Sequence, residues 1–221
     1  FDFAKTRIKA DTTLFAKWSY MGPSTYLIMD HIAYIEGMDD GLVHPEKDIT
    51  RAEVAMIFYR LLNEDTRREF ENDRSAFKDV KDGWYLTAVS TLARMGILKG
   101  RGNGYFDPNA PITRAEFAVI CSRFDTLDEI DGVKFADVPK TYWAYKEIGS
   151  AAAKGWVEGI GGEKFAPNAL ISRAEAVTLI NRVLGRATTE FKVDKGAGTQ
   201  RTWPDNKKSD WYYWAMQEAT N

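Results

Sequence analysis

Val54, Ile57, Phe58 and Leu61 recur at the spacing that places them on one face of a helix, which predicts a helix opening at Thr50. Trp84, Ala88, Leu92 and Met95 follow one another by four, four and three residues, a second apolar stripe that predicts a helix stopped by Gly96. Downstream of that stop, GNGYFDPNAP is rich in Gly, Asn, Asp and Pro, which supply positive φ angles and preset turns. It reads as a loop with a short strand. One such helix–loop–helix unit cannot bury its own apolar face, so units of this kind are expected to share a core.

The pattern repeats. Aligned on Arg51, Arg114 and Arg173, at spacings of 63 and 59 residues, the chain reads AYIEGMDDGLVHPEKDIT, GILKGRGNGYFDPNAPIT and GWVEGIGGEKFAPNALIS just before the arginine-bearing helices. Gly37, Gly100 and Gly159 fall in register, as do Pro45, Pro108 and Pro167. Two units carry a front half, FKDVKDGWYLTAVSTLARMG and FADVPKTYWAYKEIGSAAAKG, with Trp84 and Trp143 each twelve residues before a glycine. A third front half, WPDNKKSDWYYWAMQEATN, ends the sequence with no back half after it.

Two whole units and two complementary halves make three. The C-terminal helix around Trp211–Ala219 is therefore expected to pack on the first unit and close it. The alternative is that Ser24 to His31 supplies its own front helix and the C-terminus begins a fourth unit. The expected division is a β-rich tail at 1–18, a first unit at 19–62, a charged connector at 63–76, a second unit at 77–125, a third at 126–185, a connector at 186–202, and the completing half at 203–221.

Composition narrows the partners. The 221 residues carry 30 Lys and Arg against 32 Asp and Glu, with no basic excess of the kind that marks nucleic-acid binding. No apolar run approaches the roughly 18 residues of a membrane span. A single cysteine, Cys121, excludes an internal disulfide framework and reads as a buried small hydrophobe. Attachment to a cell would then be non-covalent or lie outside this chain. A start at Phe1, without methionine, reads as a fragment of a longer protein.

Each unit begins its second helix with Thr-Arg-Ala-Glu or Ser-Arg-Ala-Glu. Thr50 with Glu53, Thr113 with Glu116 and Ser172 with Glu175 match a capping box, in which hydroxyl and carboxylate satisfy helix-start amides reciprocally. Capping makes no demand on the arginine, and a cation at the positive helix end costs about 0.3–1 kcal/mol if exposed. Free amides, dipole and guanidinium together would suit a carboxylate or phosphate. The other possibility is an internal salt bridge to Asp79, Asp137 or Asp205. The residues alone leave both open.

The composite of FKDV or FADV, a tryptophan five or six residues on, a GIL-G or GWV-G step, an FDPN or FAPN turn and then ITRAE or ISRAE resembles the S-layer homology domain, over Asp30 to Asn221. The resemblance implies a mainly α fold: three pseudo-repeats of helix–loop–helix in a pseudo-trimeric bundle, the arginine helices central and grooves between repeats. It implies a monomeric module of an exported bacterial protein in the cell wall or S-layer, holding a peptidoglycan-linked secondary wall polymer, often a pyruvylated and so acidic polysaccharide. No cofactor or metal is implied.

Carried onto matching positions, Arg51, Arg114 and Arg173 become candidates for carboxylate recognition. Asp79, Asp137 and Asp205 would orient the arginines or accept from sugar hydroxyls. Trp84, Trp143 and Trp211 are candidates for stacking on sugar, although their place on the apolar stripe favours core packing. Gly100 and Gly159 permit either close ligand approach or the turn, with the turn favoured. His44 stands where other units have Asp107 and Ala166, and Glu163 where Gly104 stands, so one or two working grooves are expected rather than three. Phe1–Trp18 resembles the end of a Listeria-Bacteroides-type β repeat.

An assembly module would hold acidic side chains of neighbouring subunits in the same grooves. A wall-glycan hydrolase would need paired carboxylates; the capping boxes account for the repeated glutamates, and no nucleophile elbow, zinc motif or phosphate loop is present. Asp39 and Asp40 before Gly41 lack the ligand spacing of a calcium loop.

Overall fold

The computed structural model describes residues 23–126, 130, 132–186 and 201–221. The Phe1–Trp18 segment and nearly all of the connector at 186–202 lie outside them. The described residues form eight helices: α1 (Pro23–Tyr26), α2 (Arg51–Leu61), α3 (Glu64–Phe70), α4 (Leu86–Arg94), α5 (Arg114–Ser122), α6 (Tyr145–Ala153), α7 (Arg173–Val183) and α8 (Tyr213–Thr220). Pairing between extended segments is limited, among these residues, to isolated bridges such as Thr50 with Pro111 and Thr113 with Leu170. The fold is mainly α, as the repeat pattern predicts.

The three capping boxes start α2, α5 and α7. Thr50, Thr113 and Ser172 each sit in extended backbone, accept from the N3 amide, and have their own amide bonded by the N3 glutamate. The residue before each cap is a fully buried isoleucine, and the three isoleucines bond in a cycle: Ile49 N–H to Ile171 O, Ile171 N–H to Ile112 O, and Ile112 N–H to Ile49 O, at 3.1, 3.2 and 3.1 Å. Around that hub, Phe58 stacks on Phe124 at 4.9 Å and lies 6.1 Å from Phe117, so the apolar faces of α2 and α5 meet in one core.

Front-half helices pack across unit boundaries: α4 lies on α2, α6 on α5, and α8 on α7. The C-terminal segment thus touches both the first and the third unit. While α8 lies on α7, the carbonyl of Ala219 accepts from the amides of Tyr34 and Ile35 at 2.9 and 3.1 Å. A buried node joins the same parts: Tyr34 donates to Asn181 Oδ1 at 2.6 Å, and Asn181 Nδ2 donates to Ala215 O. Helix α1 is a single turn over Pro23–Tyr26, shorter than the front helix that the fourth-repeat alternative needs. Within the charged connector, Asn63 caps α3, which packs on α4.

One local expectation fails. Trp84 is not on the buried stripe of the front helix, because α4 begins at Leu86; Ala88 and Leu92 are buried while Trp84 is 59% exposed. Trp143 and Trp211, at 59% and 68%, likewise stand two residues before α6 and α8. Core packing is therefore not what these tryptophans do. Each precedes its helix, so its ring falls outside the face that the helix buries.

Candidate functional site

The three arginines are almost wholly buried, at 4%, 7% and 3% exposure. Each reaches into the next unit. Arg51 Nε donates to Phe106 O at 2.8 Å, Nη2 to Lys99 O at 2.8 Å, and Nη1 pairs with Glu116 at 3.2 Å. Arg114 repeats this with Phe165 O, Glu158 O and Glu175. Arg173 returns to the first unit through Val43 O, Glu36 O and Glu53, the last at 2.7 Å. The three ion pairs run head to tail around a closed ring.

The helix-start amides are engaged in the same sense. Arg51 and Ala52 donate to Ala110 O and Pro108 O, Arg114 and Ala115 to Ala169 O and Pro167 O, and Arg173 and Ala174 to Lys47 O and Pro45 O. Orphan donors of one helix are thus satisfied by the turn of the next unit. A guanidinium at that helix end is tolerated because two carbonyls and a carboxylate surround it. Burial lowers the arginine pKa values while the paired glutamates oppose this, and arginine stays charged.

The acids hold the turns. Asp79 accepts from the amides of Phe106 and Asp107 at 2.9 and 2.7 Å, Asp137 from Phe165 and Ala166 at 2.8 Å each, and Asp205 from Val43 and His44. The amide of Phe106 thus bonds to Asp79 while its carbonyl takes Arg51. His44, Asp107 and Ala166 all adopt left-handed backbone, φ 47°, 58° and 56°, which costs a non-glycine residue and is over-determined here by the acid. Burial raises the Asp79 and Asp137 pKa values, but the backbone donors outweigh it and hold both below the ordinary carboxylate range.

The glycines let backbone and side chains pack closely at the start of each turn. A Cβ on Gly100 would lie 2.4 Å from Tyr105 O and 2.9 Å from the Phe77 ring, and on Gly159 2.7 Å from Lys164 O and 2.9 Å from Phe135. Gly37 would meet Trp203 at 2.2 Å. Neither Gly100 nor Gly159 has a positive φ.

Among the described residues, three grooves stand at corresponding positions. The first is lined by Arg173, Gly37, Glu53 and Trp84, the second by Arg51, Gly100, Glu116 and Trp143, and the third by Arg114, Gly159, Glu175 and Trp211. Their volumes are about 520, 100 and 190 Å³. Arg101 narrows the second, bonding both oxygens of Glu116 at 3.0 and 2.9 Å where the other units have Met38 and Ile160. Burial raises the Glu116 pKa, yet the bonds from Arg101 and the Thr113 amide, with the charge of Arg51, bring it below its ordinary value.

Each groove has a second arginine that the motif does not announce: Arg60, Arg123 and Arg182, each nine residues after the arginine that starts its own helix and lines a neighbouring groove. The repeat alignment carries this signal, because the spacing is identical in all three helices. Among the described residues, no group of three or more His, Cys, Asp or Glu side chains could hold a metal, and no helix is long and apolar enough to cross a membrane. Burial raises the Cys121 thiol pKa strongly, which makes it unreactive.

Repeated capping boxes, the ring of arginines and the turns gripped by Asp79 and Asp137 coincide with a family match: the S-layer homology domain model covers residues 76–118 and 134–177. The chain carries S-layer homology repeats and belongs to a bacterial cell-surface protein. It is 38% identical over 165 residues to a cellulosome-anchoring protein of Acetivibrio thermocellus, covering 71% of this chain and 36% of the relative. It is 34% identical over 201 residues to cell surface glycoprotein 1 of the same organism, covering 85% and 8%. An S-layer protein of Bacillus licheniformis is 33% identical over 176 residues, covering 76% and 20%. The chain thus spans little more than a third of these relatives at most. The likenesses point to a non-catalytic module.

Proposed function

We propose that this chain is a cell-wall anchoring module, not an enzyme, that holds an acidic secondary wall polymer non-covalently in its grooves. The observation that carries the reading is the exposure of Trp84, Trp143 and Trp211 on groove walls that also bear arginines. An exposed aromatic face beside guanidinium donors suits a sugar ring carrying a carboxylate, the ring stacking and the carboxylate taking charged hydrogen bonds. The name of the cellulosome-anchoring relative agrees with an anchoring role.

In this reading residues 203–221 are the front half of the first unit, since Asp205 bonds Val43 and His44 as Asp79 bonds Phe106 and Asp107. The test is sedimentation of the chain with wall sacculi, intact or stripped of acidic substituents. Retention on intact walls alone is expected, and equal retention on both, or none, overturns the reading.

A further inference from the structure

The grooves share a plan but not a charge. In the first, Arg60 pairs with Glu36 at 3.3 Å, and in the third Arg182 pairs with Glu158 at 2.9 Å. The equivalent residue of the second unit is Lys99, exposed and cationic. Among the described residues no carboxylate pairs with Arg123; its Nη1 donates to Ile97 O at 2.7 Å. Glu147 attracts Arg123 from α6 but is not among the groove's walls.

Among the described residues, the walls of the second groove set Arg51, Lys99, Arg101 and Arg123 against one carboxylate, Glu116. The first sets Arg60 and Arg173 against Glu36, Asp39 and Glu53, and the third sets Arg114 and Arg182 against Glu158 and Glu175. A concave surface with excess charge of one sign concentrates the opposite ion, and like charge lining a groove repels it.

We infer that the second groove is the carboxylate-binding groove of this chain, with Arg123 and Lys99 as its anion-contacting residues and Arg51 as a positioning residue that fixes the groove wall. The inference rests on the anchoring reading. Arg51 spends its Nε, Nη1 and Nη2 on Phe106 O, Glu116 and Lys99 O, and so holds the backbone of residue 99 in place. The ligand it defines is a glycan whose carboxylate enters the narrow recess, about 100 Å³, while the ring lies against Trp143. The first and third grooves, with their second arginines neutralised, do not select for that charge.

Calorimetric titration tests this with a hexoside bearing a 4,6-linked pyruvyl ketal, its methyl ester and the uncarboxylated hexoside. The free acid is expected to bind at one site and the other two at least about tenfold more weakly. Lys99→Glu, which gives the second groove the carboxylate of its siblings, and Arg123→Gln should each cost about tenfold or more. Glu158→Lys should free Arg182 and add a second site. Lys99 and Glu158 are exposed, so these two changes leave the fold intact, and melting curves check it. Undiminished binding by Lys99→Glu, or a stoichiometry of one for Glu158→Lys, overturns the inference. So does a chain that is retained on wall sacculi but ignores the carboxylated hexoside, which leaves the anchoring reading standing; failure on both sacculi and hexoside removes the anchoring reading itself.

Discussion

Arg173 closes the ring from the third unit back to the first, and Arg173→Ala measures what that closure is worth. The guanidinium makes three contacts: Val43 O at 2.9 Å, Glu36 O at 3.0 Å and Glu53 at 2.7 Å. Losing it strands two carbonyls and one carboxylate in a site where the arginine is 3% exposed. Breaking one partner of a buried pair typically costs about 3–5 kcal/mol. Two terms reduce this. Glu53 keeps its bonds from Thr50 N and Oγ1, both 2.8 Å, and removing a cation from a helix start returns about 0.3–1 kcal/mol. A net loss of about 2–4 kcal/mol is expected, a shift of roughly 4–16 °C in Tm for a chain of this size.

Urea titration followed by circular dichroism gives the loss directly. A cycle with Glu53→Gln separates the ion pair from the carbonyl bonds, and most of the loss should remain after Glu53 is neutralised, because the two carbonyls are still stranded. A loss under about 1 kcal/mol would refute the view that this arginine is a staple between units. A normal wall-binding affinity in a stably folded Arg173→Ala chain would support it.

Removing residues 203–221 takes away Asp205 and the Ala219 carbonyl that hold the first unit, and thermal melting should show a lower midpoint; an unchanged midpoint would refute closure by the C-terminal segment. Gly100→Ala places a Cβ 2.4 Å from the Tyr105 carbonyl, so backbone must move, and chemical denaturation should show about 1–3 kcal/mol of destabilisation of the kind overpacking produces. Asp79 and Asp137 have pKa values depressed by backbone donors, so their contribution is complete above the unfolded value near 4 and is lost as pH falls below it. Chains with both acids changed to Asn should be less stable at pH 7 and show a shallower fall in stability between pH 5 and 2. An unchanged slope would mean that these carboxylates do not report on folding.

The capping boxes were legible because Thr50–Glu53 and its counterparts bond within four residues of themselves. The partners of Arg51, Arg114 and Arg173 were not, because they lie 44 to 137 residues away and in a different unit. Proximity in the motif pointed to Asp79, Asp137 and Asp205, yet these acids bond backbone amides of the turns, a role no spacing reveals. Arg60, Arg123 and Arg182 fall in register in the alignment, but no local rule sets apart an arginine near the end of an amphipathic helix.

Tryptophan shows the limit most directly. A four-residue step from Trp84 to Ala88 is right for a helical stripe only if the helix includes Trp84, and α4 starts two residues later. What the sequence by itself determined is the periodic part: repeated units, helix starts, turns and a mainly α fold, all governed by interactions between near neighbours. Tertiary structure decided which helix packs on which unit, and that exposed the tryptophans, satisfied the helix-start amides with foreign carbonyls and left Lys99 beside Arg123. Those outcomes depend on contacts between segments distant in the chain, and single-sequence periodicity carries no record of such contacts.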